Sequence, residues 1–129
     1  GQEYFDPDLF DKETGKVDTL KHFRKTIFDF GLDDVVIPLV GRSATIGSVW
    51  QTPVSLIFID GSHAYESVLS DYTIWAKNVI TGGYLLFHDI FSDPAKGGQA
   101  PYLVYMKAVE SGLYEVMPMC ESLGILVRK

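Results

Sequence analysis

The feature that most constrains this chain is a pair of apolar runs, Val54-Ser55-Leu56-Ile57-Phe58-Ile59 and Tyr84-Leu85-Leu86-Phe87, each closing on polar residues, Asp60-Gly61 and His88-Asp89. A strand that is solvated on one side alternates apolar and polar positions, whereas a near-continuous apolar run suits a strand buried on both faces of a parallel sheet. Between the two runs, Tyr65, Val68, Leu69, Tyr72, Trp75, Ala76 and Val79 recur at helical spacing, and Thr81-Gly82-Gly83 supplies a stop. Strand, helix and strand in this order predict a βαβ unit with a right-handed crossover.

The flanking segments extend the pattern. The first seventeen residues are polar and turn-rich, with Tyr4-Phe5 before Asp6-Pro7 reading as the tail of a strand. Asp18 or Thr19 caps a predicted helix carrying Leu20, Phe23, Ile27 and Phe30, which Gly31 ends. Val35 to Val40 predicts a short strand, and Pro38, which has no N–H to donate, places it at an edge or an irregular end. Ser92 to Ala100 is rich in Gly, Pro and Asp and reads as a loop, either a passive connection or a lid over a substrate. Pro101 then opens a helix with Tyr102, Met106 and Val109 facing inward, and Gly112 closes it. Tyr114 to Met119 and Leu123 to Val127 predict an antiparallel hairpin around Cys120-Glu121-Ser122.

Composition narrows the function. At 129 residues with 47% hydrophobic content, the chain reads as one soluble globular domain. Eleven basic against seventeen acidic residues give a net charge of −6, the wrong sign for a nucleic-acid or anionic-membrane partner. Its one cysteine, Cys120, cannot form an internal disulfide, and no apolar run is long enough for a membrane span, so a cytoplasmic setting is expected.

The chemistry concentrates at the strand ends. In open α/β sheets, ligands bind beyond the carboxyl ends of the parallel strands, so Asp60, Ser62, His63, His88 and Asp89 are expected to face one crevice. Carboxylates with a histidine suit a divalent metal, magnesium being the expected ion, and a cation beside a hydroxyl eases its deprotonation. His63, three residues after Asp60, offers an imidazole that exchanges protons near neutral pH and suits a general base. The plainer alternative has Asp60 capping the next helix, His63 bonded to a backbone carbonyl and His88 partly buried. Tyr65, Tyr72 and Trp75 read as helix-packing groups.

Residues 56–90, LIFIDGSHAYESVLSDYTIWAKNVITGGYLLFHDI, resemble the core of the class I S-adenosylmethionine-dependent methyltransferases that act on macrolide sugars and rhamnose, with their Asp-Gly-x-His turn, Gly-Gly turn and His-Asp strand end. The resemblance implies a Rossmann-like α/β three-layer sandwich whose seven-stranded, mostly parallel sheet ends in an antiparallel strand. It implies an O-methyltransferase acting on a sugar or other small-molecule hydroxyl, with S-adenosylmethionine and a divalent metal, Mg2+ on the family's pattern, as cofactors. His63 resembles the general base, and Asp60, His88 and Asp89 resemble the metal ligands. Asp6 resembles the acid that holds the cofactor ribose, with Glu3 a weaker candidate, and Asp60 also borders the cofactor. Ser43, in Gly41-Arg42-Ser43-Ala44, resembles a contact near the adenine. The family's first strand and glycine-rich loop have no counterpart, so residues 1–129 read as one partial domain, expected to bind cofactor poorly alone and to cover its open edges by self-association. Two rivals stand beside this reading: a non-catalytic binding or assembly module on the same fold, and a metal-dependent hydrolase or hydroxylase-like activity.

Overall fold

The computed structural model describes residues 7–129, which divide into two compact units on either side of the Val40–Gly41 junction. The expected strand tail at Tyr4-Phe5, together with Glu3 and Asp6, lies outside the described residues.

In the first unit a 3-10 turn at Pro7–Leu9 leads into a two-residue hairpin, β1 (Phe10–Asp11) and β2 (Lys16–Val17). Asp11 closes its turn by accepting hydrogen bonds from the Glu13 N–H at 2.8 Å and the Thr14 hydroxyl at 2.9 Å. These bonds hold its carboxyl below the usual carboxylate range, the Glu13 amide first. Helix α1 (Leu20–Asp29) follows, with the Asp18 carboxylate accepting from the Leu20 N–H at 2.9 Å. Its end is a glycine stop: Gly31 takes φ 61°, and the Leu32 N–H returns to the Ile27 carbonyl at 2.9 Å.

Val35 to Val40 is not the predicted strand. The Val35 and Val36 amides fold back to the Leu32 carbonyl, and the remainder is irregular. A β-branched run becomes a strand only when another strand pairs with it, and here Val35 and Ile37 each remain 76% exposed.

The second unit carries a four-stranded sheet in the order β3-β4-β6-β5. Helix α2 (Ser43–Ser48) precedes β3 (Val54–Ile59); then come α3 (Tyr65–Trp75), a 3-10 turn over Ala76–Asn78, and β4 (Val79–Phe87). Helix α4 (Ala100–Glu110), with Pro101 in its first turn, leads to β5 (Tyr114–Val116) and β6 (Gly124–Arg128). Strands β3 and β4 run parallel, as the βαβ pattern predicts, and β6 joins antiparallel to both β4 and β5. The hairpin therefore forms, although its first strand stops at Val116 and not Met119. One sheet face packs on α3 and α4 through Ile59, Leu85, Phe87 and Leu126 against Val68, Val104, Tyr105 and Ala108. Each buried Ile, Leu, Val or Phe side chain among them contributes about 1.5–3 kcal/mol. This core holds the ends of β3 and β4 side by side, with the His88 N–H donating to the Ile59 carbonyl at 3.1 Å.

Candidate active site

Because β3 and β4 are parallel neighbours, their polar ends open on the same side of the sheet. Asp60 follows β3 and His88-Asp89 follows β4. The His88 Nδ1 lies 3.0 Å from Asp60 Oδ1 and 3.2 Å from Asp89 Oδ1. The His63 Nε2 lies 2.9 Å from Asp89 Oδ2. Two imidazoles and two carboxylates thus form one continuous chain, His63–Asp89–His88–Asp60, which brings together four of the five side chains expected to share a crevice, and Ser62 lines a small pocket with Asp60, His63 and His88.

Local backbone explains the placement. Ser62, and not Asp60, caps the turn into α3, its Oγ accepting from the Ala64 N–H at 3.1 Å, which leaves the Asp60 carboxylate for His88. Asp89 takes the left-handed conformation, φ 59°, uncommon for a residue other than glycine though tolerated by aspartate. Strain of this kind costs on the order of 1–3 kcal/mol and collects at functional sites. The Phe58 ring meets the His88 ring nearly edge-on, at 6.1 Å and 77°, and steadies its plane.

Asp60, His88 and Asp89 can each place one ligand atom so that all three lie within 4.8 Å of one another. Their donor set, two carboxylates and an imidazole, fits a divalent cation of small radius. The imidazole of His63 does not join that group; it holds the far oxygen of Asp89.

Beside the cluster a crevice of about 440 Å³ runs along β3, lined by Ser43, Phe58, Asp60, Gly61, Asp71 and Trp75. Ser43 opens α2, and its Oγ accepts from the Trp75 Nε1–H at 2.8 Å, so this predicted contact residue reaches the crevice with one lone pair already engaged. Trp75, read from spacing as a packing group, packs against Trp50 with ring centroids 5.4 Å apart and still lines the crevice. Asp71 was not singled out by the sequence. Its one signal is a carboxylate within a helix whose neighbouring positions are mostly apolar or aromatic.

A second crevice, of about 570 Å³, opens past Asp89 where Ile90, Phe91, Asp93, Tyr102, Met119 and Glu121 meet. In sequence Glu121 reads only as part of a hairpin turn; at φ 52° it holds a left-handed position and brings a carboxylate to this wall. Gln99 ties the intervening loop down, its Nε2 donating to the Phe91 carbonyl at 2.8 Å.

A family model described as a methyltransferase domain matches residues 4–90. The uncharacterized protein R132 of Acanthamoeba polyphaga mimivirus is 42% identical over 36 residues, 28% of this chain and 16% of that protein. Among solved structures, the O-methyltransferase NovP superposes with a TM-score of 0.68 at 15% identity, over 90% of this chain and 47% of its own. A Staphylococcus aureus protein described as a "putative caffeoyl-CoA O-methyltransferase" gives 0.67 at 11% identity, over 85% of this chain and 59% of its own. The chain thus spans less than two thirds of the length of each of these relatives. At such identities the structural likeness establishes the Rossmann-like methyltransferase fold. No helix among the described residues is long and apolar enough to cross a membrane.

Proposed function

Because this chain belongs to the methyltransferase-domain family, whose model spans residues 4–90, we propose that it serves the S-adenosylmethionine-dependent, metal-assisted methylation of a small-molecule hydroxyl, a sugar among the acceptors it suits. The observation that carries this reading is the continuous His63–Asp89–His88–Asp60 chain at the ends of two parallel strands. A non-catalytic module has no need to hold two imidazoles against two carboxylates at a strained backbone position.

The crevice beside β3 fits the cofactor's adenosyl part. Trp75 offers a ring face, Ser43 a hydroxyl, Asp60 and Asp71 carboxylates, and β3 an apolar floor. Asp6, outside the described residues, stays in the proposal as the ribose partner on sequence resemblance alone. S-adenosylmethionine supplies an electrophilic methyl group on its sulfonium. A divalent cation held by Asp60, His88 and Asp89 would make a neighbouring hydroxyl easier to deprotonate.

The chain's own residues do the rest. His63 Nε2 faces Asp89 Oδ2 at 2.9 Å, so with its proton on that nitrogen the imidazole keeps a lone pair on Nδ1. That lone pair takes the acceptor's hydroxyl proton as the oxygen bonds to the methyl carbon and the carbon–sulfur bond breaks. The second crevice supplies an acceptor surface. Asp93 and Glu121 can receive hydrogen bonds from sugar hydroxyls, while Phe91 and Tyr102 cover the C–H faces.

The test is methyl transfer from labelled S-adenosylmethionine to a panel of monosaccharides and catechols, with calorimetric titration of the cofactor alongside. His63→Gln should slow transfer about 10²–10⁴-fold while cofactor affinity holds. A rate that is unchanged in this variant removes His63 as the base. Cofactor binding with no transfer to any acceptor favours the assembly-module alternative.

A further inference from the structure

We propose that the cation site of Asp60, His88 and Asp89 selects a first-row transition dication, of the Mn2+, Co2+ or Zn2+ kind, over Mg2+, and that His88 is the residue that sets this preference. The inference rests on the metal-assisted reading above and deepens it by naming the class of ion.

Geometry supplies the first argument. Ligands at neighbouring corners of an octahedron with bonds of about 2.1 Å stand roughly 3 Å apart. The His88 Nδ1 stands 3.0 Å from Asp60 Oδ1 and 3.2 Å from Asp89 Oδ1. Of these two oxygens only Asp60 Oδ1 meets the nitrogen with hydrogen-bond geometry, so Asp89 Oδ1 stands beside it without that bond. One cation facing the nitrogen and both oxygens satisfies all three.

The surroundings hold these atoms in place. His63 engages Asp89 Oδ2 at 2.9 Å, which leaves Oδ1 for the centre, the outer support that metal-bound carboxylates characteristically have. Phe58 steadies the imidazole plane, and the His88 backbone is tied to Ile59 as a continuation of the sheet.

Ion chemistry completes the case. Mg2+ is hard and strongly hydrated; it gains little from exchanging water for imidazole and is served as well by carboxylates. Transition dications gain from a nitrogen donor, increasingly from Mn2+ through Co2+ to Cu2+ in the usual order, with Zn2+ below Cu2+. Two carboxylates alone would leave the choice to ion supply, whereas the added imidazole tilts it.

Mn2+ is the probe, because its paramagnetic resonance reports binding without catalysis. The protein should bind Mn2+ in a manner abolished by Asp60→Asn, and Mg2+ should displace it only at about tenfold excess or more. Pulsed resonance should show coupling to a directly bound nitrogen. His88→Asp should lose that coupling, keep a divalent site, and bring the Mn2+/Mg2+ ratio towards one. Displacement by equimolar Mg2+, or Asp60-dependent Mn2+ binding with no nitrogen coupling in the unaltered protein, overturns this inference and leaves the metal reading standing. Absence of any Mn2+ binding, or binding indifferent to Asp60→Asn, overturns both.

Discussion

Asp89 serves two neighbours with one carboxylate, Oδ1 towards His88 and Oδ2 towards His63, and does so from a backbone conformation that most residues avoid. Residue types and spacing foretold that positions 60, 63, 88 and 89 share a crevice. They did not foretell that His63 bonds Asp89 in preference to a backbone carbonyl, since that depends on where two loops from different strands end. Buried phenols give a second residue-scale consequence. Tyr105 is pushed above its ordinary ionisation range by burial and then by Tyr102; Tyr114 is raised likewise by burial and then by Tyr72. Below about pH 9 both phenols are neutral whether the chain is folded or unfolded. Above that the unfolded chain releases its protons first, so stability falls as pH rises towards the folded values. Urea midpoints measured at about pH 9 and about pH 11 should show the fall, and Tyr105→Phe should flatten it. A profile that Tyr105→Phe leaves unaltered rejects the assignment.

At the scale of elements, the strand after α3 begins earlier than the apolar run suggests. Val79 was read as the last turn of the helix, yet α3 ends at Trp75 and Val79 already pairs with Val54. Two residues of β3 then span the same stretch as five of β4, so β4 bulges before Tyr84 meets Leu56. Gly82-Gly83 makes the bulge and does not merely stop a helix. Gly82 takes φ 79°, and a Cβ on Gly83 would come within 2.9 Å of the Ser55 and Ile80 carbonyl oxygens. Gly83→Ala should therefore cost about 1–3 kcal/mol, read from a shift in denaturant midpoint. Local pattern could not reveal this, because a helix stop and a bulge both call for glycine, and only the partner strand tells them apart.

For the whole molecule, the sheet presents an outer strand that is apolar where edges are usually charged. On β3, Leu56 and Phe58 are 49% and 50% exposed, and among the described residues nothing pairs with its second edge. Such an edge templates pairing with another chain. Light scattering of the isolated chain should report a mass above 14.4 kDa that falls towards that value on Leu56→Lys. A monomer at every concentration before substitution would contradict this.

From Val54 onward, the order of strands and helices, the parallel β3–β4 pair and the polar strand ends were determined by the sequence alone, because each follows from short-range periodicity and from the need to bury a continuous apolar run. Tertiary structure alone decided that Val35 to Val40 stays irregular, that β4 starts at Val79, and which oxygen of Asp89 meets which imidazole. Those outcomes turn on pairing and on distances of about 3 Å between residues far apart in the chain, for which a local pattern carries no information.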